Sequence, residues 1–189
     1  MKIVIIDNYD SFTYNLVHLF GKFTQDISVF RNDRISVDEL KSISPDRIVI
    51  SPGPGRPSDA GVSADLIKTL GDKIPILGVC LGHQTIGEVF GCSITFAPQL
   101  MHGKTSQVFH ENSGIFKGLD NGFPAGRYHS LVIDPATITP VLEVTCKTSD
   151  GVIMGVKHKN YPIEGIQFHP ESVLTPDGEK IIKNWLETN

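Results

Sequence analysis

Short apolar runs alternate with amphipathic segments over the first half of the chain, and this order restricts the possible fold more than any other feature. The runs cover residues 3–6, 28–31, 47–51 and 74–79 and are rich in Ile and Val, as is typical of strands buried on both faces. Helical spacing of apolar residues follows at 12–23, a capping box opens a segment at 36–40, and a third helical segment spans 59–70. This β-α-β-α order predicts an open, doubly wound parallel sheet.

The second half has more strands and fewer helices. Strand patterns cover residues 93–97, 105–109, 131–134, 141–147, 152–157 and 163–168. Ser149-Asp150-Gly151 is a hairpin signal between two of them, and residues 179–186 have the apolar face of a last helix. No linker or repeat interrupts the pattern. We therefore expect one α/β domain over residues 1–189, with a mixed, mostly parallel sheet and antiparallel additions in its second half.

Composition excludes several classes of function. The net charge is −4 and no block of Lys or Arg occurs, which argues against nucleic acid as a partner. No apolar run is long enough to cross a membrane. The three cysteines, Cys80, Cys92 and Cys146, are an odd and sparse set that suits a reducing compartment better than a disulfide framework. We expect a cytoplasmic protein without a membrane partner.

Cys80 has the sequence surroundings of a catalytic nucleophile. Gly78-Val79-Cys80-Leu81-Gly82 stands between an apolar strand and a helical segment, which is the nucleophile-elbow arrangement with Cys in place of Ser. At a helix N-terminus the dipole favours thiolate over thiol. The alternative is a buried structural cysteine, which is the more common role of a lone Cys.

His169 and Glu171 could supply the base and its orienting acid. If Phe168-His169-Pro170-Glu171 is extended, the side chains at positions i and i+2 point to the same side. Glu171 could then bind one imidazole nitrogen and leave the other for the Cys80 thiol. Two alternatives remain open from the residues alone: a solvated surface pair, and a metal site that combines Cys80, His83 and His169.

The loop Gly53-Pro54-Gly55 follows the third strand and so belongs to the same sheet edge as Cys80. Its backbone could aim one N–H at an oxyanion, and the N–H of Leu81 could be the second donor. Neither this loop nor Gly103-Lys104-Thr105 completes a dinucleotide or phosphate-binding motif, so we predict no cofactor. Because Cys80 and His83 lack the paired spacing of a zinc site and a fourth ligand is not evident, we predict no metal ion. The polar cluster at 127–131 indicates only a loop.

Together these segments resemble the class I, triad-type glutamine amidotransferases over essentially the whole chain. The resemblance rests on residues 52–55, 78–84 and 168–172. Three further stretches, at residues 7–15, 101–106 and 127–131, are similar to the glutaminase subunits that serve chorismate-using synthases. Such a resemblance implies a flavodoxin-like amidotransferase fold.

The resemblance also implies roles for individual residues. Cys80 would be the nucleophile, His169 the base and Glu171 its partner. The glutamine and oxyanion site would comprise Gly53, Pro54, Gly55, Leu81, Gln84, Ser130 and Leu131.

By the same resemblance, the substrate would be L-glutamine and the chain would pass ammonia to a larger chorismate-binding synthase subunit. That subunit would belong to anthranilate synthase in tryptophan biosynthesis, or to aminodeoxychorismate synthase in folate biosynthesis, or the chain could serve both. Any Mg²⁺ would be bound by the partner. A stand-alone cysteine hydrolase is the rival interpretation from another class, since it could use the same elbow.

Overall fold

The computed structural model of the chain describes residues 1–99 and 101–188. Its helices within these ranges are α1 (Thr13–Gly21), α2 (Val37–Ile43), α3 (Ser63–Leu70), α4 (Leu81–Val89) and α5 (Gly178–Glu187). Its strands are β1 (Ile3–Asp7), β2 (Ile27–Arg31), β3 (Arg47–Ile50), β4 (Ile76–Val79), β5 (Ile94–Phe96), β6 (Lys104–His110), β7 (Phe123–Arg127), β8 (Leu131–Ile133), β9 (Leu142–Thr148), β10 (Ile153–His158) and β11 (Ile163–Ile166). None of these helices has the length and apolar character that a membrane span requires.

Within the described residues, nine strands form one sheet in the order β2-β1-β3-β4-β11-β10-β9-β6-β7. The first five strands in this order are parallel to one another. The neighbours that follow pair antiparallel. The predicted single-domain α/β fold, with a parallel first half and antiparallel additions, is confirmed.

The core has two layers because successive strand residues point to opposite faces of the sheet. Ile3 and Ile5 of β1 pack on the face that carries α1 and Trp185 of α5. Val4 and Ile6 pack on the other face, against α2, α3 and α4. With both faces covered, the free edge at the carboxyl ends of β1, β3, β4 and β11 is where loops and polar side chains can form a site.

The structure corrects the predicted helices and strands in two places. The helix predicted from residue 59 begins at Ser63, because Pro57–Asp59 forms a short 3₁₀ turn and Gly61 has a positive φ of 53°. Strand β7 has no counterpart among the predicted strands. It contains Pro124 and Gly126, which both disfavour an interior strand, and it lies at the sheet edge, where they are tolerated.

A partly buried carboxyl group in the sheet makes the stability depend on pH. Glu164 of β11 lies between Leu77 of β4 and Lys157 of β10. Burial raises the pKa of Glu164 to about 7, and Lys157 opposes this shift only in part. In the unfolded chain the carboxyl loses its proton near the ordinary pKa of 4.5, so the native state binds more protons between these two values. Native stability therefore falls as the pH rises through that window.

We expect Glu164→Gln to stabilise the protein by about 2–3 kcal/mol near pH ~8, and to have almost no effect near pH ~4. Denaturant unfolding at both pH values measures the difference. Glu143→Gln is the matched control, because Glu143 lies on the exposed side of neighbouring β9 and its ion pair with Lys157, at 3.3 Å, is a surface pair worth at most about 1 kcal/mol. An equal effect of Glu164→Gln at both pH values would contradict this explanation.

Candidate active site

A strained turn joins β4 to α4, and Cys80 is its central residue. Its φ of 52° and ψ of −98° lie outside the regions that a non-glycine residue normally adopts, at a cost of about 1–3 kcal/mol. The backbone holds the turn from both sides: the N–H of Cys80 donates to the carbonyl of Ile166 at 2.8 Å, and the N–H of Gln84 donates to the carbonyl of Cys80 at 3.0 Å. The predicted strand-turn-helix elbow is therefore present.

Gly78 and Gly82 make this elbow possible because β4 and α4 approach each other closely. A Cβ atom on Gly78 would lie 2.5 Å from the carbonyl oxygen of Gly82, and one on Gly82 would lie 2.6 Å from the carbonyl oxygen of Ile50. Neither separation is sterically possible. A larger residue at either position would move α4 away from the sheet and displace the thiol of Cys80.

His169 and Glu171 follow β11 and reach the same edge of the sheet. The Nδ1 atom of His169 lies 2.6 Å from Oε1 of Glu171, and the two side chains are only 3% and 0% exposed. The predicted pair is formed, but the extended geometry predicted for it is wrong. Pro170 and Glu171 lie in a turn, in which the N–H of Ser172 donates to the carbonyl of His169 at 3.2 Å.

The surroundings of His169 favour its charged form. Burial alone would lower the pKa of His169, but its interactions with Cys80 and Glu171 raise the pKa to about 10. Glu171 occupies Nδ1, so Nε2 is the nitrogen left for Cys80. Nε2 is buried and has no other hydrogen-bond partner among the described residues, and its hydrogen-bonding and charge interactions with Cys80 both raise the pKa of His169. A thiolate and an imidazolium stabilise each other in such a pair.

Two aromatic rings enclose the imidazole of His169. The centroid of the His169 ring lies 4.9 Å from that of Tyr128 and 5.7 Å from that of Phe12, in edge-on orientations. The hydroxyl of Tyr128 is hydrogen-bonded to that of Ser172 at 3.0 Å. These contacts fix the ring and exclude water from it, and a low local dielectric strengthens the ion pair with Glu171.

The predicted glutamine-site residues surround a single crevice beside Cys80. Its volume is about 130 Å³, and its walls include Gly53, Pro54, Gly55, Cys80, Gln84, Ser130 and Leu131, with Tyr128 and His129. Leu81 is the first residue of α4, so its N–H belongs to the group of helical N–H donors that have no acceptor within the helix. All the predicted glutamine-site residues except Leu81 therefore line one crevice, and Leu81 directly follows Cys80 of its wall.

The side chain of Gln84 is engaged by the protein itself. Its Nε2 donates to the carbonyl of Leu131 at 3.0 Å and to Oε1 of Gln167 at 3.1 Å. Gln167, fully buried between β11 and His169, in turn donates from Nε2 to the Cys80 sulfur at 3.5 Å. Sequence reasoning missed Gln167. The only signal was a polar residue directly before Phe168-His169, where an apolar strand should continue.

The structure gives no support to a metal site built from Cys80, His83 and His169. His83 lies on α4 with its ring against Gly165 of β11. No group of three or more His, Cys, Asp or Glu side chains in the described part of the chain is arranged to hold a metal ion. Burial lowers the pKa of His83 to about 4, so this imidazole is neutral.

Known proteins resemble this chain in sequence and in fold. The family model for class-I glutamine amidotransferases matches residues 4–188. The chain belongs to this family. Among solved structures, a putative GMP synthase protein from Thermoplasma acidophilum superposes on it with a TM-score of 0.88 at 27% sequence identity, over 98% of this chain and 92% of that one.

Several curated amidotransferase relatives share about half of their residues with this chain. Aminodeoxychorismate/anthranilate synthase component 2 of Bacillus subtilis is 50% identical over 98% of this chain and 96% of its own length. Anthranilate synthase component 2 of Pseudomonas aeruginosa is 50% identical over 97% and 94%. The chain spans only 32% of a further relative, the bifunctional protein TrpGD of Thermotoga maritima, at 53% identity.

Proposed function

We propose that this amidotransferase hydrolyses glutamine and passes the ammonia to a chorismate-using synthase subunit, that of anthranilate synthase in the first place. The observation that carries the proposal is that Cys80 lines one crevice with Gly53–Gly55 and Leu131, while the His169–Glu171 pair interacts with the Cys80 side chain. The choice of anthranilate synthase as the partner rests on the names of the relatives. Because one of these names includes both synthases, the second candidate function is delivery of ammonia to aminodeoxychorismate synthase.

In the first half-reaction the Cys80 thiolate attacks the side-chain amide carbon of glutamine. A sulfur–carbon bond forms, and the carbonyl oxygen becomes an oxyanion that the N–H of Leu81 and the Gly53–Gly55 backbone can stabilise. The carbon–nitrogen bond then breaks, and the proton on Nε2 of His169 goes to the departing nitrogen, which leaves as ammonia. Glu171 holds the imidazolium in place through Nδ1.

In the second half-reaction water attacks the γ-glutamyl thioester and gives its proton to Nε2 of His169. The sulfur–carbon bond breaks, glutamate is released, and the thiolate–imidazolium pair is restored. The raised pKa of His169, about 10, supports this cycle, because it keeps the imidazolium protonated across the neutral pH range and ready to donate to the leaving nitrogen.

Ammonia that escapes into neutral water becomes ammonium and is no longer a nucleophile, so a receiving subunit should cover the crevice. Three exposed apolar side chains form an apolar rim around it: Tyr9 follows β1, Phe96 ends β5 and Val173 lies after β11, with exposed fractions of 51%, 71% and 94%. Val173 follows Glu171 by two residues, and Phe96 packs under Arg56 beside the Gly53–Gly55 loop. We propose that the synthase subunit docks on this apolar rim.

We expect Val173→Asp to lower glutamine-dependent product formation at least tenfold, since a charge buried without a partner weakens docking. The assay combines the chain with the large subunit of anthranilate synthase from the same organism and measures anthranilate from chorismate, with glutamine or with ammonium as nitrogen donor. Ammonium-dependent synthesis needs only the large subunit and should not change.

Val141→Asp is the matched control. Val141 is also exposed, but it precedes β9 at the opposite end of the sheet from the crevice. Equal losses in both variants, or none in Val173→Asp, would contradict docking on the apolar rim. Repeating the assay with the large subunit of aminodeoxychorismate synthase decides between the two synthases. The cytoplasmic location stays a prediction.

A further inference from the structure

A buried arginine near the active site has no carboxylate partner. Arg127 ends β7 and is only 3% exposed. Its Nε donates to Nε2 of His129 at 3.0 Å and its Nη1 donates to the hydroxyl of Ser106 at 2.9 Å. No ion pair of Arg127 occurs within the described residues. Buried charges in proteins are normally paired, because an unpaired one is costly to remove from water.

The guanidinium of Arg127 lines a cavity of about 290 Å³ that is separate from the catalytic crevice. Ser106, Gln107, Thr148 and Ser149 are among the other residues of its wall. Guanidinium has five N–H donors, and the two hydrogen bonds above leave several of them free. Hydroxyl and amide groups surround these donors, so the cavity offers the bidentate, charge-assisted contacts that a carboxylate accepts.

Asp150 is the only carboxylate that lines this cavity among the described residues, and it does not neutralise Arg127 directly. Its carboxylate accepts a hydrogen bond from the hydroxyl of Thr148 and lies on the exposed β9–β10 turn. Its charge raises the pKa of Arg127, whereas burial, the larger effect, lowers it. Asp150 therefore offsets the buried charge from a distance and leaves the place beside the guanidinium open.

Hydrogen bonds connect this cavity to the nucleophile. Burial, and then the charge of Arg127, lowers the pKa of His129 to about 3, so the ring is neutral. Because its Nε2 accepts from Arg127, its proton is on Nδ1, which donates to the carbonyl of Leu131 at 3.0 Å. The same carbonyl accepts from Gln84, and the chain continues through Gln167 to the Cys80 sulfur.

We propose that the Arg127 cavity binds a carboxylate and that this anion activates the glutaminase. The proposal rests on the proposed glutaminase function. An anion held by the guanidinium fixes Arg127, and Arg127 fixes His129 and the Leu131 carbonyl that form one wall of the crevice. That carbonyl holds Gln84, Gln84 donates to Gln167, and Gln167 donates to the Cys80 sulfur, so the chain of hydrogen bonds keeps the sulfur in position. Arg127 is a positioning residue in this scheme, since it touches neither substrate nor reacting atoms.

The test uses acetate as the probe and measures its binding by thermal shift and calorimetry, independently of activity. We expect saturable binding with a Kd on the order of 1–10 mM, as for a very small ligand. Arg127→Gln should abolish this binding. Asp150→Asn should strengthen it about three- to tenfold, because it removes a like charge from an exposed position. Since Asp150 is on the surface, this variant stays informative if Arg127→Gln folds poorly.

Acetate should also raise the glutaminase kcat of the wild-type chain and of Asp150→Asn, at a half-saturating concentration equal to its Kd. Absence of saturable binding, binding that persists in Arg127→Gln, or weaker binding in Asp150→Asn would overturn the proposal. Acetate binding is also measured with the inactive Cys80→Ala chain, in which it should be unchanged. If the wild-type chain shows no glutaminase activity but still binds acetate, the proposed function is wrong and the carboxylate site remains.

A last arm distinguishes the two sources of the carboxylate. If an acidic side chain of the synthase subunit enters the cavity, adding that subunit should displace acetate and replace its activating effect. If a free carboxylate is the natural ligand, acetate should bind and activate equally with and without the subunit. Both results support a carboxylate site.

Discussion

Cys80→Ala is expected to lower the glutaminase rate by at least about 10⁵-fold without unfolding the protein. The two-step route through a thioester needs the sulfur, whereas the fold needs only the backbone turn that Cys80 occupies. Cys80 is nearly buried but small, so its loss costs little packing. Release of glutamate from glutamine measures the rate, and denaturant unfolding measures the stability.

Two further variants make this experiment specific. Cys92→Ala is the matched control, because Cys92 is also a buried, free cysteine but packs in the core against α4 rather than in the crevice; its rate should equal that of the wild type. Cys80→Gly should be as inactive as Cys80→Ala but about 1–2 kcal/mol more stable, since glycine relieves the strain at φ 52°. Wild-type activity in Cys80→Ala would end the triad proposal.

Glu171→Gln is expected to lower kcat by about 10²- to 10⁴-fold and to shift its pH dependence. The carboxylate of Glu171 is one of the groups that raise the pKa of His169 to about 10. Without that charge the imidazolium loses its proton at a lower pH. Since the leaving nitrogen takes its proton from this imidazolium, the alkaline decline of activity should begin at lower pH in the variant. A rate profile across the alkaline range measures the shift.

The control for the second prediction is Glu164→Gln. Glu164 is also a glutamate with a perturbed pKa, but it is only partly buried and lies on β11, five residues before His169. Its substitution should leave the alkaline decline where the wild type has it. A Glu171→Gln enzyme with an unshifted decline would show that Glu171 positions the ring without affecting its charge.

The parts of the fold that depend on local pattern could be predicted from the sequence. β1, β3 and β4 are short runs of Ile, Val and Leu, and burial on both faces makes such runs recognisable. The Cys80 elbow was also recognisable, because the close approach of strand and helix demands small residues at fixed positions on either side of the nucleophile. That His169 lies close to Cys80 could be expected only because each residue follows a parallel strand, and such strands end at the same edge of the sheet.

The features that escaped prediction depend on tertiary contacts. Strand β7 could not be predicted from residue propensities, because Pro124 and Gly126 both disfavour strands. Only its place at the sheet edge explains why a strand forms there. The roles of Gln167 and His129 follow from hydrogen bonds to Gln84, Leu131 and Arg127, which lie far apart in sequence. A polar residue inside an apolar run is the one local sign that such a contact exists.

The charge state of the site also required the structure. The residue types at positions 169 and 171 indicate a base and an acid, but the raised pKa of His169 is the balance between burial, which lowers it, and the interactions with Cys80 and Glu171, which raise it. Burial alone would have shifted it in the opposite direction. Sequence spacing cannot decide between such opposed effects, whereas distances and exposure can.

The most direct test of the central proposal is to trap the covalent intermediate. The chain, combined with its synthase subunit, is mixed with glutamine, quenched in acid within a single turnover and digested for mass mapping. We expect the mass of a γ-glutamyl group on the peptide that contains Cys80, and none on this peptide in Cys80→Ser. A γ-glutamyl group on Cys92 or Cys146 instead, or full turnover by Cys80→Ser, would contradict the assignment of Cys80 as the nucleophile.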